Sequence, residues 1–315
     1  MILVTGASGF VGAALVGRLA REAWPVRACV RRSDVSVPPG AQVVRQADLG
    51  PQAQWAELLV GVTAVVHAAA HVHVMDASGR DALAEFRRVN VGGSLALARA
   101  AAAAGVRRFV FISSVKVHGE ATAPGRPFRE DDPPAPMDAY GISKMEAEQA
   151  LREVSAATGM ELVIIRPPLV YGPGVKANFA ALVRLVRRGW PLPLGAIHNQ
   201  RSLVSLDNLV DLIMTCLRHP RAAGEAFLVS DGQDLSTTEL VRGLGKALGR
   251  VSVLVPVPAT LLRGLAAATG RSEVVQRLCG NLQVDVTRAR QLLGWSPPVP
   301  VAEGLRRAVG GAGRP

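Results

Sequence analysis

The first half of the chain alternates short, unbroken apolar runs with longer stretches of helical periodicity. The runs are Ile2–Thr5, Val26–Val30, Gln42–Arg45, Ala64–His67, Phe109–Ile112 and Leu162–Ile165. Between them, apolar residues recur at three- and four-residue spacing over Gly9–Arg21, Ala53–Leu59, Gly79–Ala104 and Ala139–Thr158, which predicts helices. Strands that are apolar on both sides, rather than alternating, are covered on both faces, so the sheet they form is parallel and sandwiched by helices. Right-handed crossovers then make it an α/β doubly wound sheet. After Arg166-Pro167-Pro168 the pattern loosens, with Pro- and Gly-rich loops at 171–175 and 190–195. Helices are predicted near Phe179–Arg188, Asp207–Leu217, Thr237–Leu248 and Ala259–Ala268. The expected organisation is a dinucleotide-binding domain over 1–170 and a smaller α/β substrate-binding lobe over 171–315. The two are interleaved, with one or two lobe segments returning to the main sheet.

Composition supports a full core: 49% of the 315 residues are hydrophobic and 19% charged. No apolar run approaches the roughly 20 residues of a membrane span; the stretch from Leu95 to Ala104 is broken by Arg99 and ends at Gly105. The N-terminus enters a strand at once, without a signal-like segment, and the three cysteines (Cys29, Cys216, Cys279) are dispersed. A cytoplasmic location is the expectation. A net charge of +11 raises nucleic acid as a partner, but the basic residues are scattered pairs and aromatics are only 4%, too few for base stacking. Phosphate-bearing small molecules are the better match.

Thr5-Gly6-Ala7-Ser8-Gly9-Phe10-Val11-Gly12 follows the first strand and opens the first helix. Gly6 permits the tight turn, Gly9 lets backbone approach a pyrophosphate and Gly12 lets helix and strand pack closely. Ser8, Phe10 and Val11 complete a turn whose helix end attracts phosphate. This is the opening of a Rossmann-type fold. The end of the second strand decides the ribose 2′-position: a carboxylate favours NAD, and basic residues accommodate a 2′-phosphate. Here it reads Ala28-Cys29-Val30-Arg31-Arg32, so NADP(H) is favoured, with NAD as the alternative. Asp48 and Leu49 are expected at the adenine, and Ala68, Ala69 and Ala70 along the cofactor.

Tyr140-Gly141-Ile142-Ser143-Lys144 puts Tyr140 and Lys144 on one helix face. A neighbouring ammonium favours the phenolate and is expected to lower the tyrosine pKa. Ser114, at the end of a strand, could hydrogen-bond the same substrate oxygen. Together these motifs resemble the extended short-chain dehydrogenases, within them the NAD-dependent epimerase/dehydratase family acting on nucleotide sugars. The likeness spans nearly the whole chain and includes Asn90, Arg166-Pro167, Tyr171-Gly172-Pro173-Gly174, Arg201-Ser202-Leu203-Val204 and Asp207-Asn208-Leu209-Val210-Asp211.

The resemblance implies that Ser114, Tyr140 and Lys144 are catalytic and that Pro167 adjoins the cofactor. Sugar-nucleotide dehydratases carry Asp-Glu after the catalytic hydroxyl residue; Val115 and Lys116 stand there, which disfavours dehydration. The text around Ile112–Val117 and Arg277–Gly280 is similar to bacterial reductases of UDP-4-keto-6-deoxy-N-acetylhexosamines that serve O-antigen synthesis. That implies NADPH-dependent reduction of a C4 ketone, with Asn178, Arg201 and Arg277 holding UDP and Lys116 meeting the sugar or a phosphate. Competing readings are a UDP-sugar 4-epimerase with retained NAD, a non-catalytic dinucleotide sensor and a ketoreductase for an apolar substrate. A homodimer is expected by analogy with relatives. His71 and His73 share a strand-like spacing but lack a third ligand, so no metal is expected. Asn90 is read as the organiser of a local hydrogen-bond network.

Overall fold

The computed structural model describes residues 1–32, 35, 37–46, 48–71, 79–268 and 272–310. Its strands are β1 (Ile2–Thr5), β2 (Val26–Val30), β3 (Ala41–Arg45), β4 (Ala64–His67), β5 (Arg108–Ile112), β6 (Glu161–Arg166), β7 (Leu169–Tyr171), β8 (Leu203–Ser205) and β9 (Ala226–Leu228). The helices are α1 (Phe10–Arg21), α2 (Gly79–Phe86), α3 (Ser94–Ala103), α4 (Ala139–Thr158), α5 (Ala177–Arg188) and α6 (Leu206–Arg218). They continue with α7 (Thr237–Ala247), α8 (Ala259–Ala268), α9 (Ser272–Cys279), α10 (Thr287–Leu293) and α11 (Val301–Gly310).

Seven strands form one sheet in the order β3-β2-β1-β4-β5-β6-β9, and every neighbouring pair is parallel. The strand order reverses between β1 and β4, and a crevice opens at the carboxyl ends of strands at such a point. Alternation along β1 shows why both faces had to be apolar: Ile2 and Val4 join a core with α1 and α6, while Leu3 joins a second core with α3 and α4.

The segment after residue 170 both leaves and rejoins this sheet. β7 and β8 pair in parallel as a small second sheet, and β9 extends the main one beside β6. A third core, including Tyr171, Phe179, Leu203, Leu240 and Leu305, holds this region together. Its polar tie is the buried Asp231, which accepts hydrogen bonds from Tyr171 Oη (2.6 Å), the Ser205 N–H (2.8 Å) and Asn208 Nδ2 (2.6 Å). No helix among the described residues is long and apolar enough to cross a membrane.

The long helix predicted over Gly79–Ala104 is interrupted. Between α2 and α3, Arg87–Gly93 widens into a π-helical turn. The added residue lets the Asn90 side chain reach inward, and Gly93 lets this turn press against Leu49, whose carbonyl oxygen would lie 1.8 Å from any Cβ there. The helix predicted over Ala53–Leu59 shrinks to a single 3₁₀ turn at Glu57–Leu59.

Candidate active site

A cleft of about 500 Å³ opens at the β1/β4 reversal. It is lined by Gly6, Ser8 and Gly9 from the first turn, Arg31 after β2, Asp48 and Leu49 after β3, and Ala68, Ala69 and Ala70 after β4. These nine positions, read separately along the sequence, converge on one surface. Gly12 acts from behind it: a Cβ there would sit 2.1 Å from the Gly6 carbonyl oxygen, so helix and turn meet only without a side chain. Gly6 has φ +67°, and a Cβ there would lie 2.7 Å from the Ala69 nitrogen. Phe10 and Val11 pack their side chains on the core, so what they can offer the cleft is the backbone of the first helical turn. Arg32 is exposed and is not among the lining residues. The N-cap of α1 is Gly9, with no side-chain cap, so the first turn presents its N–H groups toward the cleft. The only atom near a Cβ position at Gly9 is the Gly6 oxygen, 3.1 Å away. An elongated anionic ligand such as a dinucleotide fits this cradle.

Beyond the cleft lies α4. Its first turn is capped by Asp138, whose Oδ1 accepts the Gly141 N–H at 2.7 Å. Tyr140, Lys144 and Glu148 follow at four-residue intervals and so share one face. Glu148 Oε1 accepts from Ser113 Oγ at 2.5 Å, which hangs the end of β5, and with it Ser114, on that face. Ser114 itself accepts the Lys116 N–H at 3.2 Å. Pro167, after β6, receives the Val115 N–H on its carbonyl at 3.0 Å and closes the same loop from behind.

The tyrosine does not behave as expected. Burial, and then the charge of Asp138, push the Tyr140 phenol up to about 12. Burial also lowers the Lys144 ammonium to about 7, with its Nζ seated 4.0 Å from the centre of the Phe111 ring. Each charged form loses water, and that cost exceeds the mutual benefit read from the four-residue spacing.

Around this face runs a polar network that the sequence motifs did not reveal, except for Asn90. Asn90 Oδ1 accepts the His71 N–H at 2.7 Å, and its Nδ2 reaches the His71 carbonyl and Ser143 Oγ, each at 3.0 Å. Ser143 Oγ in turn donates to the Tyr140 carbonyl at 2.8 Å. Ser94 Oγ donates to the Asn90 carbonyl (2.6 Å), so it accepts from His67 Nε2–H at 2.9 Å. His67 Nδ1 then accepts from Thr5 Oγ1 at 2.6 Å, which fixes the neutral tautomer and links the first turn to α4. His73 lies outside the described residues, and no group of three metal-ligating side chains occurs among those described.

On the far side, Glu148 forms a buried ion pair with Arg166, Nη2 to Oε2 at 2.6 Å. Arg166 Nη1 donates to His118 Nε2 at 2.9 Å and to the Glu130 carbonyl at 2.8 Å. His118 must then carry its proton on Nδ1. Burial and the Arg166 charge hold it at about 4, and burial and Lys144 hold His67 at about 3, both below the ordinary 6.5. From pH 6.5 down to these values the unfolded chain binds protons that the folded chain does not, so stability is complete above 6.5 and is lost on acidification. Glu130 and Asp231, raised by burial, act in the opposite sense, adding stability as the pH falls through their raised values, and so offset part of this loss. We expect urea unfolding to show a loss on the order of a few kcal/mol between pH 6.5 and 4. A flat profile would contradict the neutral assignments.

The expected substrate residues are placed unequally. Arg201 is mostly buried and donates from Nη1 to the Gly280 carbonyl at 3.1 Å. Burial and the neighbouring Arg277 charge lower its guanidinium pKa, so two cations face one region, an arrangement that suits a diphosphate. Asn178 is exposed on the first turn of α5. Lys116 is spoken for: its Nζ pairs with Glu120 at 2.7 Å and with Asp138. The sequence reading directed this lysine at the sugar or a phosphate; in the fold two carboxylates hold its ammonium.

Residues 2–230 match the NAD dependent epimerase/dehydratase family. The chain belongs to that family. A UDP-glucose 4-epimerase of Vibrio cholerae is 47% identical over 98% of this chain and 94% of its own length. MoeE5, solved in complex with UDP-glucuronic acid and NAD, is 26% identical with a TM-score of 0.75, covering 98% of this chain and 97% of its own. A UDP-glucuronic acid 4-epimerase from Bacillus cereus in complex with NAD shares the fold, with a TM-score of 0.79 at 21% identity over 99% and 98% of the two chains.

Proposed function

We propose that this family member is a UDP-sugar 4-epimerase that retains NAD. The observation that carries this reading is the 47% identity, over 98% of the chain, with the Vibrio cholerae UDP-glucose 4-epimerase. It has more support than the C4 reduction with NADPH expected from the motif text. NAD is preferred to NADP(H) because MoeE5, with the same fold and 26% identity, is in complex with NAD, and because only one arginine of the Arg31-Arg32 pair lines the cleft.

In this reading Gly6, Ser8, Gly9, Arg31, Asp48, Leu49 and Ala68–Ala70, which line the cleft, would hold the dinucleotide. NAD would supply a reversible hydride acceptor and, in its oxidised form, a positive charge. Tyr140 takes the proton of the sugar C4 hydroxyl and returns it to the same oxygen. The added positive charge offsets the burial that otherwise holds the phenol up. Ser114 Oγ fixes the reacting oxygen by a hydrogen bond, and Lys144, on the same helix face as Tyr140, adds positive charge when it is protonated. Arg201 and Arg277 grip the diphosphate and Asn178 the UDP end, so the sugar is oriented from remote contacts. The test is to denature the purified protein and identify what it releases: stoichiometric NAD supports retention, and NADP(H) or no dinucleotide overturns it.

Lys116 takes a supporting part. It neutralises Asp138, the charge that raises Tyr140, and fastens the Ser114 loop to the N-terminus of α4. Lys116→Met is expected to lower kcat roughly three- to tenfold with little change in KM and to move the acid limb of the pH–rate profile, set by Tyr140 as base, upward. An unchanged profile with a raised KM would return Lys116 to a substrate contact.

A further inference from the structure

Among the described residues twelve large hydrophobic side chains are exposed, and six of them gather on one part of the lobe: Trp190, Val251, Val253, Val255, Leu261 and Leu265. The clustering follows from the backbone. Leu192 and Val255 exchange hydrogen bonds with their opposite segments (Leu192 N–H to Val253 O at 2.9 Å, Val255 N–H to Leu192 O at 2.8 Å), which lays the Trp190 strand beside 251–255. In that extended stretch Val251, Val253 and Val255 point outward, while Ser252 Oγ turns in to the Val241 carbonyl at 3.0 Å. The chain then enters α8, where Leu262 and Ala266 face the lobe core and Leu261 and Leu265 are each 64% exposed.

The segments that carry this face are rich in cations and poor in acids. From Leu240 to Ser272 there are five Lys or Arg residues and no Asp or Glu, and from Leu162 to Leu206 no Asp or Glu either. Arg250 Nη1 donates to the Arg187 carbonyl at 2.7 Å, and Arg188 stacks 5.3 Å from the Trp190 ring centre. The cations thus border the apolar residues directly.

We propose that this face docks the protein on an anionic lipid bilayer. Trp190, Leu261 and Leu265 enter the headgroup boundary, and Arg188, Arg250 and Arg263 meet lipid phosphates. Apolar side chains protruding singly from a strand and a short helix, with an aromatic beside arginine, suit an interface that is apolar within and anionic above. A second copy of this chain fits less well, because a twofold contact sets the same patch against itself and would bring like charges together. The inference does not depend on the epimerase reading. It does place the bilayer near Arg277, since α9 packs against α8.

The test uses the whole protein with vesicles of phosphatidylglycerol and phosphatidylethanolamine, against phosphatidylcholine alone. Co-sedimentation and tryptophan emission are followed together. Trp55 and Trp295 are buried and Trp24 is stacked on Arg218, so a blue shift reports Trp190. Binding to the anionic vesicles alone, weakened by salt, is expected. The double variant Leu261→Ser/Leu265→Ser should lower the partition coefficient about tenfold. The triple variant Arg188→Ala/Arg250→Ala/Arg263→Ala should lower it about a hundredfold. Both should keep wild-type turnover in solution. Failure to bind either vesicle, equal binding to both, or a dimer in sedimentation that the leucine variant dissolves would overturn the proposal.

Discussion

Tyr140→Phe is expected to lower kcat by about a thousandfold while leaving the fold, and the bound dinucleotide, in place. The ring stays because its packing does not use the hydroxyl: it lies edge-on to Phe86, with ring centres 6.1 Å apart. The turn carrying it is fixed from elsewhere, by Asp138 at the N-cap and by Ser143 on the Tyr140 carbonyl. In the proposed mechanism the variant removes the proton acceptor for the C4 hydroxyl, and neither Lys144 nor Ser114 is placed to replace it. Lys144 is 1% exposed and seated over Phe111, and Ser114 has no adjacent base to draw its proton. Steady-state kinetics on the variant, together with release of its dinucleotide, checks this. Turnover within tenfold of wild type would move the proton chemistry to another group.

Arg166→Met is expected to destabilise the fold by about 3–5 kcal/mol, because it leaves the Glu148 carboxylate buried without its cation. Both partners are 6% exposed, and Glu148 also carries Ser113 while Arg166 also carries His118. Loss of the pair therefore frees the end of β5 and the Ser114 loop, so kcat should fall along with stability. Glu148→Leu is expected to cost a similar amount by stranding the guanidinium. The double variant Arg166→Met/Glu148→Leu should recover part of the loss, since an apolar pair of similar volume strands neither charge. Urea unfolding of the three variants tests this; additive losses in the double variant would mean that the two residues act separately.

The sheet was legible because a strand buried on both faces has no alternative to a continuous apolar run, as β1 and β5 show. The cleft was legible for a related reason: its glycines answer local demands that backbone geometry alone sets. The three-residue strands β7, β8 and β9 carry too few positions to show a period, and their pairing depends on partners far along the chain. The break in the helix at Arg87–Gly93 follows from Asn90 bonding to His71 and Ser143, partners that only tertiary packing brings together. The partners of Lys116 were hidden for the same reason. A lysine two residues past Ser114 looks unengaged until Asp138 and Glu120 fold onto it. The Tyr140–Lys144 spacing told which groups meet, but burial, which the sequence does not report, decides how each holds its proton.

The most direct measurement incubates the purified protein with UDP-glucose and no added cofactor, and follows the sugar by NMR. The account predicts approach to a mixture of UDP-glucose and UDP-galactose from either side, with no net change in nicotinamide absorbance. No interconversion, but consumption of added NADPH with a UDP-4-keto-6-deoxy-N-acetylhexosamine, would contradict it and make the protein a reductase.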